Sequence, residues 1–192
     1  VQDPAVTVMF KIKDEDTYLS AWTTTPWTLP SNLALIVNSD IDYQLVHEKT
    51  KDIKFYIAKE RVESYKKGHE FEVIKEVKGS DLVGKKYEPL FPYFKDEAAN
   101  GAFQVVSDDY VTTTDGTGIV HSAPAFGEDD NRVLKAHKIS AFVQPINSKA
   151  EFTSEVTDFV GIYIKDADKP IIKHLKDNGQ LFHQSVLVHS YP

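Results

Sequence analysis

Residues 6–25 read VTVMFKIKDEDTYLSAWTTT, and this stretch predicts how the fold begins. Every second side chain from Val6 to Ile12 is apolar, which is the pattern of a strand with a buried face. A charged turn, Lys13–Asp16, separates this strand from a second one predicted over Tyr18–Thr25. The chain is therefore expected to open with two strands of a sheet.

The rest of the chain predicts short strands interrupted by a few helices. A helix over Lys59–Lys67 would end at Gly68, because glycine tolerates the left-handed conformation that follows a helix. Another helix is expected from Gly127 to about His137, and a third over Asp168–Asp177. Further strands or apolar runs are predicted at Leu33–Val37, Tyr43–His47, Phe55–Ala58, Phe71–Ile74, Val105–Val106, Gly118–His121 and Ser185–His189.

Proline and glycine mark where several of these elements start and stop. Pro170 is expected in the first turn of the third helix, with Gly179 beyond its end. The segment Gly79–Gly101 contains Pro89 and Pro92 and is predicted to be irregular. Many short strands with few helices indicate an α+β fold that is mainly β, with a curved or barrel-like sheet and peripheral helices.

The composition excludes several classes of protein. A length of 192 residues suits a single domain, and no run approaches the roughly 18 apolar residues of a membrane span. The chain has no cysteine, so it forms no disulfides and no cysteine-based zinc sites. None of the seven histidines has zinc-hydrolase spacing, and His183 and His189 are interpreted as partly buried strand residues. These features predict an intracellular, cytoplasmic domain without a membrane anchor, metal or cofactor.

Charge is distributed unevenly along the sequence. The formal net charge is −7, which argues against broad electrostatic binding of nucleic acid. Between His47 and Lys86, however, eleven Lys and Arg stand against eight Asp and Glu, a local balance of +3. This basic segment is compatible with contact to one end of a nucleic acid. It is also typical of a solvated, lysine-rich surface.

The first chemical motif is the decapeptide TTTPWTLPSN at Thr23–Asn32. Threonine hydroxyls and exposed backbone groups at a strand end can hold an adenosine-ribose ester together with a water molecule. Because side chains alternate along a strand, at most two of the three hydroxyls are expected to face one cleft. Trp27 would supply an apolar wall or a stacking surface. Alternatively, the threonines only favour a strand, and Ser31 or Asn32 only caps a short helix.

The second motif is GTGIVHSAPAFGEDD at Gly116–Asp130, in which glycines permit close backbone approach before a strand ends at His121. A loop with proline and glycine then delivers Glu128, Asp129 and Asp130 into the first turn of a helix. A carboxylate there can hold a cationic group such as an α-ammonium. Alternatively, the acids only complement the helix dipole, at about 0.3–1 kcal/mol each, and His121 is an ordinary core histidine.

Neither motif contains a recognisable nucleophile. Ser31 and Ser122 lack the Gly-x-Ser-x-Gly context of a nucleophile elbow. No Gly-x-x-x-x-Gly-Lys phosphate loop occurs either. The visible motifs therefore offer no intrinsic nucleophile for a hydrolytic triad.

Together the two motifs closely resemble the editing domain, or connective polypeptide 1, inserted into the catalytic fold of isoleucyl-tRNA synthetases, which are class I enzymes. Valyl and leucyl relatives usually read nearer Thr-Thr-Arg-Pro-Glu-Thr, whereas Thr25 and Trp27 stand here in the Arg and Glu places. The resemblance covers nearly the whole chain. It implies that residues 1–192 are one domain cut from a larger synthetase, with residues 1–5 and 190–192 leading to the catalytic domain.

The resemblance implies a proofreading function. A pocket for isoleucine discriminates against valine by one methylene, roughly 1–3 kcal/mol, and isoleucyl-tRNA synthetase is the standard illustration of this limit. A second site that admits valine and excludes isoleucine would remove the errors. Its substrate would be valine wrongly esterified to the 3′ acceptor end of isoleucine tRNA, with valyl-adenylate as a second candidate.

The resemblance also implies roles for individual residues. Asp130 would fix the α-ammonium, and pairing with that cation would lower the pKa of its carboxyl and make it a poor general base. His121 would bound the side-chain pocket and block the extra methyl of isoleucine. The residues implied to contact the terminal adenosine and the hydrolytic water are Thr23, Thr24 and Thr25, with Trp27 and Asn32 supporting them in substrate binding.

Two other functions stay open from the sequence. The chain could be a non-catalytic module that binds the acceptor end of a tRNA, although binding alone would not need an ammonium anchor. It could also hydrolyse a different mischarged amino acid, such as threonine on a valine tRNA. Thr25 and Trp27 argue against this last interpretation.

Overall fold

The computed structural model describes residues 2–188. Its strands are β1 (Gln2–Lys11), β2 (Tyr18–Thr23), β3 (Ala34–Val37), β4 (Asp42–Glu48), β5 (Ile53–Ala58), β6 (Phe71–Lys78), β7 (Gln104–Ser107), β8 (Val120–Ser122) and β9 (Leu181–Val188). Its α-helices are α1 (Gly79–Leu82), α2 (Glu128–Ala136) and α3 (Ile164–Asp177). Short 3-10 helices cover Pro26–Ser31, Lys59–Tyr65, Pro92–Asn100 and Pro124–Phe126.

The larger sheet has the strand order β6-β4-β5-β2-β1-β9. β1 and β2 are antiparallel, with Val6 opposite Thr23, and β9 pairs with the other side of β1. The side chains of Ala5–Phe10 are all buried, so this part of β1 is covered on both faces. β2 ends at Thr23 rather than at Thr25, because Pro26 disfavours further pairing and turns the chain.

The smaller sheet, in the order β7-β3-β8, brings the two motifs together. β3 directly follows the threonine motif and pairs antiparallel with β8, so that Leu35 lies opposite His121. The N–H of Leu33 donates to the carbonyl of Ser122 at 2.9 Å, which extends this pairing to the motif itself. As a result, the loop that precedes β3 and the loop that follows β8 lie side by side.

Gly118 allows the second motif to lie against the six-stranded sheet. Its φ is +80°, and a Cβ at this position would be 2.5 Å from the Cβ of Ala58. Its carbonyl accepts the hydroxyl of Tyr43 at 2.6 Å. The close backbone approach that the glycines predict is therefore confirmed, since a larger residue at 118 would push β8 away from β5.

Apolar side chains from both sheets and from α3 form the main core. In α3, the buried Ala167, Ile171 and Leu175 follow each other at helical spacing, so one face of the helix packs inward. This helix also packs against the 3-10 helix Pro26–Ser31, which belongs to the threonine motif. A second, smaller apolar cluster contains Met9, Val46, Phe55, Ile57, Val62 and Phe182.

The predicted α+β, mainly β fold with peripheral helices is confirmed, and the six-stranded sheet is open, with β6 and β9 at its edges. α3 begins at Ile164 rather than at Asp168, so Pro170 lies inside the helix and not in its first turn. Burial of the inner helix face outweighs the missing N–H of the proline. The predicted helix before Gly68 is a 3-10 helix over Lys59–Tyr65 rather than an α-helix.

The segment Gly79–Gly101, expected to be irregular, contains α1 and the 3-10 helix Pro92–Asn100. The last strand begins at Leu181, four residues before its predicted start, while His189 and residues 190–192 lie outside the described residues. Within residues 2–188 no helix is long and apolar enough to cross a membrane. In the same range no group of three or more His, Cys, Asp or Glu side chains could hold a metal ion.

Candidate active site

The two sequence motifs line a single cleft of about 310 Å³, here called the threonine cleft. Its walls come from the end of β2 and the loop after it, the end of β8, and the first turn of α2. The predicted site residues Thr23, Thr24, Thr25, His121 and Asp130 therefore lie together. The other lining residues are Trp22, Thr28, Asp115, Val120, Ala123 and Phe126.

The three threonines at the strand end differ in their hydrogen bonding. Thr23 Oγ1 accepts the N–H of Thr25 at 3.1 Å and lies 3.2 Å from Thr25 Oγ1. These two hydroxyls share one side of the chain, as the alternation of side chains predicts. The hydroxyl of Thr24 forms no hydrogen bond within residues 2–188, so it is available to a water molecule or a ligand.

Asp130 turns its carboxylate into the threonine cleft. Its Oδ2 accepts the N–H of Ala123 at 3.0 Å, which ties the start of α2 to the end of β8. Its Oδ1 has no hydrogen-bond partner in the described part of the chain. Burial raises the pKa of Asp130, while the Ala123 N–H acts in the opposite direction. A cation in the cleft would lower this pKa, so the carboxylate is best matched to a positively charged ligand group.

The other two acids in the first turn of α2 do not line the threonine cleft. Glu128 and Asp129 are exposed, and Asp129 forms an ion pair with Arg132 at 3.3 Å. Arg132 also donates to both carboxylate oxygens of Asp108, at 3.0 and 3.1 Å. Favourable interaction with the helix dipole accounts for Glu128 and Asp129. It does not account for Asp130, whose carboxylate is partly buried in the cleft.

Gly127 makes room for the Asp130 carboxylate. It directly precedes α2, and the helix predicted from Gly127 to about His137 is confirmed. A Cβ at position 127 would lie 3.0 Å from both Cγ and Oδ2 of Asp130. A side chain at position 127 would therefore crowd the carboxylate and displace it by a few tenths of an ångström.

His121 is the centre of a buried chain of hydrogen bonds. The hydroxyl of Tyr87 donates to Asn32 Oδ1 at 2.6 Å, and Asn32 Nδ2 donates to His121 Nδ1 at 2.8 Å. Because Nδ1 accepts, the proton of the neutral ring is on Nε2, which donates to Thr28 Oγ1 at 2.9 Å. Thr28 in turn donates to the carbonyl of Thr25 at 2.9 Å. The chain thus fixes both the tautomer and the orientation of the ring.

The ring of His121 is neutral and fully engaged. Burial lowers the pKa of His121 to about 4, so the ring carries no charge near pH 7. Both nitrogens are occupied, which leaves neither of them to take a proton from a water molecule. The residue is suited to form a rigid wall of the cleft rather than to act as a base.

Trp27 and Asn32, which were predicted to take part in substrate binding, do not line the threonine cleft. Trp27 packs edge-on against Phe126, with 5.0 Å between the ring centroids, and Phe126 lines the cleft. Asn32 is buried and holds His121 through Nδ1. Trp27 and Asn32 therefore contact residues that line the cleft, Phe126 and His121 respectively. A direct contact of either residue with the substrate stays a prediction.

Sequence reasoning did not identify three further contributors. Tyr87 lies 55 residues from its partner Asn32, and Asp168 lies 141 residues from Trp27, whose N–H it accepts at 3.1 Å. Burial raises the pKa of Asp168 to about 6. Trp22 lines the threonine cleft one residue before the motif. Of these three, only Trp22 offered a local signal, as a large aromatic residue beside the threonines.

Comparison with known proteins gives matches along the entire chain. The isoleucine–tRNA ligase of Bdellovibrio bacteriovorus is 52% identical over 195 residues, which cover all of this chain and 18% of that protein. The cytoplasmic isoleucine–tRNA ligase of Saccharomyces cerevisiae is 50% identical over 200 residues, covering 19% of its length. The chain thus spans about a fifth of the length of these relatives. A comparison with protein-family models finds no match.

Solved structures share the fold at much lower identity. A leucyl-tRNA synthetase CP1 domain, GlLeuRS-CP1, superposes with a TM-score of 0.72 at 17% identity, over 98% of this chain and 100% of that one. The editing domain of the Plasmodium knowlesi cytosolic leucyl-tRNA synthetase gives a TM-score of 0.68 at 9% identity, over 93% and 95% of the two chains. About half of the residues of the whole chain are thus identical to those of the matched segment of isoleucine–tRNA ligases, and the chain shares its fold with leucyl-tRNA synthetase editing domains.

Proposed function

We propose that the chain is a post-transfer editing hydrolase that removes valine from mischarged Val-tRNA(Ile), and that its cleft also accepts valyl-adenylate. The ligase activity of the relatives belongs to proteins about five times as long and is not proposed for this fragment. We further propose that residues 1–192 form one domain joined to the catalytic domain of a parent synthetase. The names of the yeast and mouse relatives support a cytoplasmic location.

One observation carries the proposal: the carboxylate of Asp130 and the free hydroxyl of Thr24, just after the end of β2, line the same cleft. Asp130 Oδ1 is available to an α-ammonium, and a charge-assisted bond to this group would fix the amino acid by its head. The hydroxyl of Thr24 is available to a water molecule beside the ester carbonyl. A module that only bound the tRNA end would need neither feature.

The proposed reaction is simple in its bond changes. The water oxygen attacks the ester carbonyl carbon, the bond between this carbon and the ribose oxygen breaks, and the ribose oxygen receives a proton. The products are valine and the uncharged tRNA. Asp130 is assigned to positioning, because an ammonium beside it lowers the pKa of the carboxylate and weakens it as a base.

The proton is proposed to move through water and the neighbouring ribose hydroxyl of the substrate. Two points support this assignment: both nitrogens of His121 are hydrogen-bonded, and Asp130 is proposed to bind the ammonium. Deoxy analogues of the terminal adenosine test it. Hydrolysis should slow markedly when the neighbouring hydroxyl is removed, and an unchanged rate would exclude this route.

The size limit of the site is assigned to His121. Valine and isoleucine differ by one methylene, so a fixed wall at the end of the cleft is sufficient to exclude the larger ester. The buried hydrogen-bond chain gives His121 the required rigidity. Parallel hydrolysis of valine, threonine and isoleucine esters tests this assignment, and rapid loss of isoleucine would contradict it.

The decisive assay is release of valine from Val-tRNA(Ile) by the chain and by Asp130→Ala, with binding of the tRNA measured in parallel. Asp129→Ala is the matched control, since it removes the preceding acid of the same helix start outside the cleft. We expect hydrolysis by the unmodified chain and by Asp129→Ala, and a strong loss in Asp130→Ala. If all three proteins bind the tRNA and leave the ester intact, the function is that of a binding module.

A further inference from the structure

A second cleft of about 300 Å³ lies beside the threonine cleft and is here called the basic cleft. Trp22 and Asp115 line both clefts, so the two are neighbours across the Trp22 side chain. A Cβ at Gly116 would be 3.4 Å from Cβ and Cε3 of Trp22, so the indole packs against the backbone at this boundary. A chain-like ligand with one end in the threonine cleft can thus extend past Trp22 into the basic cleft.

The basic cleft carries two positive charges and one negative charge, that of Asp115. Arg61 and Lys67 line it, and within residues 2–188 neither forms an ion pair. Arg61 is held by a bond from its Nε to the carbonyl of Gly116 at 2.8 Å, which leaves its charge in place. Five other lysines of the basic segment are paired with acids, whereas Lys51, Lys54, Lys75 and Lys86 form no ion pair in the described residues and do not line this cleft; the pairs are Lys49 with Glu72, Lys59 with Glu76, Lys66 with Glu63, Lys78 with Asp42 and Lys85 with Glu15.

Aromatic rings form the rest of this wall. The exposed ring of His183 meets Tyr65 at 6.2 Å, and the Tyr65 hydroxyl is fixed by Thr7 at 2.8 Å. His69 stacks on Phe182 at 4.6 Å, and burial lowers the pKa of His69, so it contributes a neutral ring. Cations interleaved with aromatic rings are the combination that binds single-stranded nucleic acid, through the phosphate and through base stacking.

We propose that the basic cleft binds the nucleotide that precedes the terminal adenosine of the tRNA. Its phosphodiester lies at Arg61 and Lys67, and its base lies among the rings of Trp22, Tyr65 and His183. Asp115 lines both clefts, and its negative charge would attract the ammonium group of the substrate and repel the phosphate. This assignment rests on the proposed function, because that function places the terminal adenosine and its ester in the threonine cleft.

The test compares adenosine with a ribodinucleotide monophosphate that ends in adenosine, titrated by NMR into the isotope-labelled chain. We expect the dinucleotide to bind about tenfold more tightly and to shift the resonances of Trp22 and His183. Lys67→Glu should remove most of this advantage and leave adenosine binding within about twofold. Lys66→Glu is the matched control, because it makes the same charge change one residue away, outside the basic cleft.

The outcomes separate this inference from the proposed function. A dinucleotide that binds no more tightly than adenosine would overturn the assignment. The same holds if Lys66→Glu and Lys67→Glu weaken dinucleotide binding equally. If valine is not released in the assay above while the dinucleotide advantage and its loss in Lys67→Glu are observed, the hydrolase proposal fails and the nucleotide site stands.

Discussion

The threonine cleft and the basic cleft share Trp22 and Asp115, but their functional side chains are held in different ways. In the threonine cleft His121 is buried and hydrogen-bonded through both nitrogens. In the basic cleft Lys67 and His183 are exposed. A site that must distinguish one methylene needs a wall that cannot move, whereas a site that follows a phosphate backbone needs charge within reach. The difference in construction therefore matches the different functions proposed for the two clefts.

The largest expected effect comes from removing the rigid wall. In His121→Ala the cleft gains room for the extra methylene, so hydrolysis of Ile-tRNA(Ile) should rise by about 10- to 100-fold. Hydrolysis of Val-tRNA(Ile) should change much less, and kcat/KM for both esters provides the measurement. His121→Gln, which retains more of the volume, should retain more of the discrimination. An isoleucine ester that stays resistant in a folded His121→Ala protein would show that the size limit lies elsewhere.

A smaller effect is expected when Asp130, the proposed ammonium anchor, is displaced without being removed. Gly127→Ala places a Cβ 3.0 Å from the Asp130 carboxylate and must shift it. Since hydrogen bonds to charged groups are worth about 1.5–3 kcal/mol, kcat/KM for the valine ester should fall about tenfold or more. Glu128→Ala, next to it but outside the cleft, should stay within about twofold. Equal losses in the two variants would indicate damage to the helix start instead.

Removing a hydrogen bond that helps to fix His121 should have a weaker effect on specificity. Tyr87→Phe leaves Asn32 Oδ1 buried without its donor, so the free energy of unfolding should fall by about 1–3 kcal/mol. The isoleucine-to-valine ratio of hydrolysis should rise a few-fold, because His121 is no longer fixed. Tyr93→Phe removes a hydroxyl that donates to the exposed Asp158 and should change neither quantity. Urea unfolding measures the first effect and parallel ester assays measure the second. An unchanged isoleucine-to-valine ratio would show that Tyr87 does not contribute to specificity.

The smallest effect is a pH dependence of stability from Asp168. Its pKa is raised to about 6, so between pH 4 and 6 the folded state holds more protons than the unfolded state. This contribution to the free energy of unfolding therefore decreases as the pH rises through that window. The raised pKa corresponds to roughly 3 kcal/mol at pH 7. Asp168→Asn keeps an acceptor for the Trp27 N–H, but an amide oxygen accepts less strongly than a carboxylate, so this variant should be more stable than the unmodified chain at pH 7 by about 1 kcal/mol.

Comparing Asp168→Asn with the unmodified chain separates the effect of Asp168 from that of His121. The pKa of His121 is lowered to about 4, so its contribution to stability rises with pH from about 4 to 6.5. Because both proteins contain His121, the difference between their urea unfolding curves reports on Asp168 alone. A constant difference from pH 4.5 to 7.5 would mean that the Asp168 carboxyl has an ordinary pKa.

Local patterns were sufficient to predict the strands and to select the two motifs. The alternation from Val6 to Ile12 and the turn at Lys13–Asp16 define the first two strands, because one buried face leaves a period-two signal. Pairing of β3 with β8 then brings the motifs together, and that pairing was not predicted. The start of α3 was misjudged because Pro170 usually marks a first turn, whereas packing decides here.

The supporting residues could not be predicted, because their roles arise from contacts between distant parts of the chain. Tyr87 belongs to a segment expected to be irregular, yet its hydroxyl completes the chain that fixes His121. Asp168 was interpreted as the start of a helix, although its carboxylate holds the turn at Trp27. The basic cleft is lined by Lys67 of the basic segment and by His183 of the last strand. The composition of the basic segment alone does not indicate that these two residues lie together.

The most direct test of the central claim is a crystal structure of the chain with a nonhydrolysable valyl-adenosine analogue. The α-ammonium is predicted within about 3 Å of Asp130 Oδ1. The valine methyls should contact the ring of His121, and a water molecule near Thr24 should face the carbonyl carbon. An analogue bound with its ammonium away from Asp130, or with its side chain remote from His121, would contradict the account.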